Sequence, residues 1–89
     1  MQRSGRIQIR GIVQGVGFRP FVYATAKSLG IRGVVTNRGS EVEIRASGER
    51  FSDFLATISR GPPLSRIDHI EVFPDPGPFP DDFSIQPSR

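Results

Sequence analysis

The chain has 89 residues, enough for one domain with a modest core and too few for a dinucleotide-binding or kinase scaffold. Hydrophobic residues make up 36% and charged residues 24%, a globular profile, and no apolar run approaches the ~20 residues of a membrane-spanning helix. The net charge of +3 is carried by arginine with Lys27 as the single lysine, which suits capture of a small anion, whereas the scattered arginines form no tract of the kind that grips nucleic acid.

Residues 6 to 13 read as a strand, because Ile7, Ile9, Gly11 and Val13 share one parity against Gln8, Arg10 and Ile12. A glycine loop follows, and then Pro20, which suits the first position of a helix because its missing N–H would lack a partner there anyway. Phe18, Val22, Ala26 and Leu29 keep helical spacing to about residue 29, where Gly30 is the stop. A second strand spans 31 to 37. Arg38-Gly39-Ser40 turns the chain into a third strand, Glu41 to Ala46, with Val42, Ile44 and Ala46 inward and Glu41, Glu43 and Arg45 toward solvent. Phe51, Phe54, Leu55 and Ile58 form one apolar stripe of a second helix, capped by Ser47 and ended by Gly61 before Pro62-Pro63. Residues 66 to 73 are a fourth strand with Ile70 and Val72 buried. The stretch from Pro74 to Pro80 is an extended connector, and Phe83 and Ile85 mark a short edge strand.

The order β-α-β-β-α-β plus a short fifth edge strand predicts an α+β, ferredoxin-like βαββαβ sandwich: an antiparallel sheet with two helices on one face. A right-handed crossover makes strands 1 and 2 parallel, with strand 3 between them. The glycine loop at the end of strand 1 and Asn37 at the end of strand 2 then meet at one edge of the sheet.

Gly15-Val16-Gly17-Phe18-Arg19 is the segment with chemistry. Gly15 and Gly17 permit positive φ, so that successive backbone N–H groups turn inward as an anion nest, backed by a helix N-terminus and by the forked guanidinium of Arg19. Glycines alone also suit a tight strand-to-helix turn; the arginine at the helix start favours anion binding. A Walker loop is excluded because no Gly-Lys-Ser/Thr follows, and a dinucleotide fingerprint because Pro20 stands where its third glycine belongs.

Val13-Gln14-Gly15-Val16-Gly17-Phe18-Arg19 resembles the signature of acylphosphatases, and Gly33-Val34-Val35-Thr36-Asn37 resembles their glycine-x-valine-x-asparagine motif. The resemblance spans essentially the whole chain. It implies that the amides of Gly15, Val16, Gly17, Phe18 and Arg19 hold a phosphate, that Arg19 binds its oxygens, and that Asn37 orients the attacking water, with no metal, cofactor or covalent intermediate. Two further runs, Arg19-Pro20-Phe21-Val22-Tyr23 and Gly61-Pro62-Pro63-Leu64-Ser65-Arg66-Ile67-Asp68, resemble the N-terminal domain of the hydrogenase-maturation carbamoyltransferase family, HypF. In that family a zinc-finger region and nucleotide-using domains follow. Carbamoyl phosphate and ATP serve to load a carbamoyl group onto the C-terminal cysteine of a partner protein, and that group becomes the cyanide of nickel–iron hydrogenase. The resemblance implies release of carbamate from carbamoyl phosphate, with phosphate or sulfate as product analogues. A non-catalytic module that binds phosphate or a protein partner is the alternative.

The whole of 1–89 is expected to be one such domain, a fragment of a longer protein, since Gln86-Pro87-Ser88-Arg89 carries no stop signal. It is expected to be a monomer in isolation. The cytoplasm is the expected location, because residues 1–10 contain no signal-peptide apolar block. One departure from the motif is Glu41, where many relatives carry glycine; an anion beside the loop either weakens phosphate binding or points away. There is no cysteine, and His69 stands alone, so neither a disulfide nor a conventional zinc site is expected. His69 reads as a surface residue and Asp81-Asp82 as a solvated turn. Phe18 and Phe21 read as packing under the first helix.

Overall fold

The computed structural model describes residues 2–87, so the Ser88-Arg89 end lies outside the described residues. The elements run β1 (Ser4–Ile12), α1 (Phe18–Leu29), β2 (Arg32–Arg38), β3 (Glu41–Ser47), α2 (Phe51–Ile58), β4 (Arg66–Phe73) and β5 (Phe83–Ile85). The strands lie in the order β4-β1-β3-β2-β5. β3 is antiparallel to both β1 and β2, which makes those two parallel, and β4 is antiparallel to β1. This is the ferredoxin-like arrangement; the fifth strand joins β2 in parallel and so makes the sheet mixed.

Register follows from one apolar face. Ile7 faces Ile44 and Ile9 faces Val42 across β1 and β3, and Val35 of β2 continues the row to Ile44. Onto that face pack Phe18, Val22 and Ala26 of α1 and Phe51, Phe54 and Ile58 of α2, all buried. Burying each large side chain contributes roughly 1.5–3 kcal/mol. A slip of one residue would turn the whole row to solvent, so the core sets the register.

Gly33 shows why the second motif opens with glycine. Its φ is 144° and a Cβ there would collide with the carbonyl oxygen of Arg45, so the close approach of β2 to β3 excludes any side chain.

Several expectations are corrected. Pro20 is the third residue of α1, not the first; Gly17 is the N-cap. Proline is tolerated there because the first four helical N–H groups have no intrahelical acceptor. Ser47 belongs to β3, where it faces Ser4 and Arg32, and α2 begins after Arg50 without a side-chain cap. α2 ends at Ile58 with Ser59 as its C-cap, while the Gly61 N–H still bonds the Ile58 carbonyl at 3.1 Å. Ile70 and Val72 are half-buried because β4 is an edge strand. Glu43 lies on the sheet face away from the helices, as its parity predicts, but it is not open to solvent. It is buried at 8% exposure, with Arg6 at 3.7 Å and Arg38 at 3.0 Å, because β3 is central and long side chains from both neighbouring strands close over it. Asp82 is more than a solvated turn residue: it pairs with Lys27 and accepts from the Phe83 N–H at 2.8 Å, anchoring the start of β5.

Candidate anion-binding site

β1 delivers the chain to a loop at the N-terminus of α1. Val13 is buried and anchors the loop in the core. Beyond it Gly15 has φ 72° and Gly17 has φ 78°, both in the left-handed region where glycine is favoured. A Cβ added at either would meet no protein atom within 4 Å. The glycines are therefore required by backbone conformation, and the space beside them is open.

The backbone amides in this loop have no main-chain acceptor among the described residues. The first amide of α1 with a main-chain acceptor is that of Phe21, to the Gly17 carbonyl at 3.1 Å; those of Gly15 to Arg19 donate to no backbone carbonyl among the described residues. With the partial positive charge of a helix N-terminus behind them, these donors face an anion favourably.

Val13, Gln14, Gly15, Gly17, Phe18, Arg19, Pro20 and Asn37 line a cleft of about 210 Å³. The topology thus brings Arg19 and Asn37 together from separate elements. Arg19 is half-buried. One of its Nη atoms donates to the Gln86 carbonyl at 3.3 Å, and it has no carboxylate partner among the described residues. Asn37 faces Val42 and so lies on the core face at the end of β2. Its Oδ1 is buried and has no hydrogen-bond partner among the described residues.

Of the five residues expected to hold phosphate, Gly15, Gly17, Phe18 and Arg19 line the cleft, whereas the Val16 side chain packs against the core. Phe18 is itself buried and meets Phe21 edge to face at 6.1 Å, so it serves both the core and the cleft wall. Glu41 does not line the cleft. Its carboxylate accepts from Arg10 Nε at 2.8 Å, a hydrogen bond that raises the Arg10 guanidinium above its ordinary value. His69 pairs with Glu71 at 2.9 Å, away from the cleft. No three His, Asp or Glu side chains converge among the described residues, and no helix is long and apolar enough to cross a membrane.

Two participants were not singled out from the sequence. Gln14 Nε2 donates to the Gly39 carbonyl at 2.6 Å, tying the loop to the β2–β3 turn. Gln86 offers Arg19 its main-chain carbonyl. A polar residue just before the first glycine was a visible signal for Gln14; nothing local signals a carbonyl contributed by a distant segment.

Comparison with known proteins gives the same frame. The acylphosphatase family model matches residues 5–85. The carbamoyltransferase HypF of Rhodobacter capsulatus is 52% identical over 71 residues, which cover 79% of this chain and 10% of that protein. A crystal structure of full-length HypF in the phosphate- and nucleotide-bound form superposes with a TM-score of 0.83 at 38% identity, over 98% of this chain and 12% of that one. The acylphosphatase of Bacillus subtilis superposes with a TM-score of 0.87 at 35% identity, over 96% of this chain and 99% of that one. The chain thus spans about a tenth of the length of the carbamoyltransferases it matches and essentially all of a free-standing acylphosphatase. On its sequence and its fold alike, the chain belongs to the acylphosphatase family.

Proposed function

We propose that this domain hydrolyses acyl phosphates in the cleft between the glycine loop and Asn37, with carbamoyl phosphate as substrate and as a domain of a cytoplasmic HypF-type carbamoyltransferase. The observation that carries the reading is the meeting in one cleft of the Arg19 guanidinium, which has no carboxylate partner among the described residues, and the Asn37 side chain, beside backbone amides that have no main-chain acceptor among those residues. Family membership supports the reaction class, and 52% identity to the Rhodobacter capsulatus protein supports the carbamoyl substrate.

In this mechanism the phosphoryl oxygens accept hydrogen bonds from the loop amides and from Arg19. The side-chain amide of Asn37 holds the attacking water so that the water's lone pair is aimed at phosphorus. The P–O(water) bond forms, the P–O(acyl) bond breaks, and the carboxylate leaves with the bonding electron pair while the water's protons go to the phosphate. A carboxylate is a stable leaving group, so positioning and charge neutralisation supply most of the acceleration. A neutral amide suits the water site because a carboxylate there would repel the dianion. With carbamoyl phosphate the product is carbamate.

The test is phosphate release from carbamoyl phosphate and from benzoyl phosphate by the unaltered chain, Arg19→Ala and Asn37→Ala. Loss of release in both variants supports the reading. Full activity of Asn37→Ala refutes the water-orienting role, and phosphate binding without turnover by the unaltered chain makes the domain a non-catalytic phosphate module.

A further inference from the structure

The two walls of the cleft are held by different strands, and the sheet does not join them where the chemistry lies. The β1–β3 ladder runs from Ser4 and Ser47 to Ile9 and Val42 and pairs no further. Past that point β1 shifts register at Arg10 and Gly11 and continues only with β4, through Gly11 opposite Ile67 and Ile12 opposite Arg66. The β2–β3 hairpin carries on alone to Arg38 opposite Glu41. The glycine loop therefore hangs from one branch of a fork and Asn37 from the other.

Two side chains bridge the fork. Arg10 reaches Glu41 in an ion pair at 2.8 Å. Gln14, which itself lines the cleft, donates through Nε2 to the Gly39 carbonyl at 2.6 Å and lies 3.4 Å from the Glu41 carbonyl. Both neighbours of that amide are acceptors, so only its NH₂ end fits against the turn, and a carboxylate of the same length would be repelled. Gly39 is two residues beyond Asn37, so the strap ends next to the group whose position matters.

We propose that Gln14 is a positioning residue that sets the width of the cleft, holding the water-orienting Asn37 at working distance from the phosphate loop. This deepens the hydrolase reading and rests on it. Phosphate capture uses only amides and Arg19, all on the loop side of the fork. Loss of the strap should therefore spare phosphate binding and impair attack by water, a division that general destabilisation would not produce.

The experiment compares the unaltered 89-residue chain with Gln14→Met, which keeps the length but cannot donate, and Gln14→Glu, which faces the two carbonyls with an anion. Hydrolysis of benzoyl phosphate, inhibition by inorganic phosphate, and the Asn37 side-chain and Gly39 amide resonances in nitrogen-15 spectra are measured on the same samples. For Gln14→Met the expected result is a fall in kcat of roughly 10- to 100-fold, the scale of a small misplacement, with the phosphate inhibition constant changed less than about twofold. Displaced Asn37 and Gly39 resonances are expected alongside. Gln14→Glu should lose phosphate affinity as well. Unchanged kcat in Gln14→Met, or weakened phosphate binding in step with kcat, would overturn the inference. An unaltered chain without turnover would instead sink the hydrolase reading. The strap is then decided by the resonances alone, and unmoved Asn37 and Gly39 signals refute it.

Discussion

The two ends of α1 are built from similar parts and do opposite things. Each has a glycine in the left-handed region, Gly17 at φ 78° and Gly30 at φ 66°, and each has a cleft with a cationic side chain. At the C-terminal end the helix-end amides and Lys27 are spent: the Gly30 and Ile31 amides both bond the Ala26 carbonyl, and Lys27 pairs with Asp82 at 2.6 Å. At the N-terminal end the loop amides have no main-chain acceptor and Arg19 has no acid partner among the described residues. The helix dipole sharpens the contrast, since it favours anions only at the N-terminus. A glycine and a cation at a helix end do not make an anion site; unspent donors do.

Arg19→Ala is the substitution that should break the contrast most. A charge-assisted hydrogen bond of about 1.5–3 kcal/mol corresponds to roughly a 10- to 150-fold loss, and two such bonds to the phosphoryl group would exceed that. Phosphate release should fall by at least the lower figure while circular dichroism stays unchanged. Asn37→Ala comes next, with turnover reduced about 100-fold if the water loses its orientation. Because it removes an orphaned acceptor, its thermal midpoint should hold or rise. A fall in both activity and midpoint would mean that Asn37 is structural.

Gly33→Ala sharpens the comparison from the scaffold side. Its Cβ would meet the Arg45 carbonyl, so β2 must shift. We expect stability to fall by more than ~1 kcal/mol in urea titrations, with Asn37 and therefore activity displaced together. Lys27→Ala should do least: phosphate release stays at the value of the unaltered chain, because its charge is already matched by Asp82.

The C-terminal cleft should instead respond to acid. The hydrogen bond from Lys27, helped by the Phe83 N–H, holds the Asp82 carboxyl below its ordinary 3.8. A depressed folded-state value means that the stabilisation is present above pH 3.8 and disappears as the pH falls below it. Asp75 behaves alike, held down by its hydrogen bond with Arg45 and by the Gly77 N–H. Thermal midpoints of Asp82→Asn and the unaltered chain should converge as the pH drops from 5 through 3. Parallel curves over that range would remove the pair from the account.

Much of this frame was legible in the chain. The alternation of Ile7 and Ile9, the stripe of Phe51, Phe54 and Ile58, and the loop glycines all led to elements close to those observed. The misreadings share a cause. Serine suits a helix cap, yet at Ser47 two neighbouring strands claim the backbone. Parity alone points Glu43 to solvent, whereas Arg6 and Arg38 of the flanking strands close over it.

Sequence by itself determined the order of the elements, the conformation of the glycine loop and the presence of a cation at the head of α1. Periodicity and backbone permissiveness are properties of neighbouring residues and need no distant contact. Tertiary structure alone decided which charges are spent and which are open: that Glu41 is taken by Arg10, that Gln14 reaches across a fork in the sheet, and that Asn37 keeps an oxygen without a partner among the described residues. Those outcomes depend on which strands become neighbours and where their ladders stop, a matter settled only when remote segments pack.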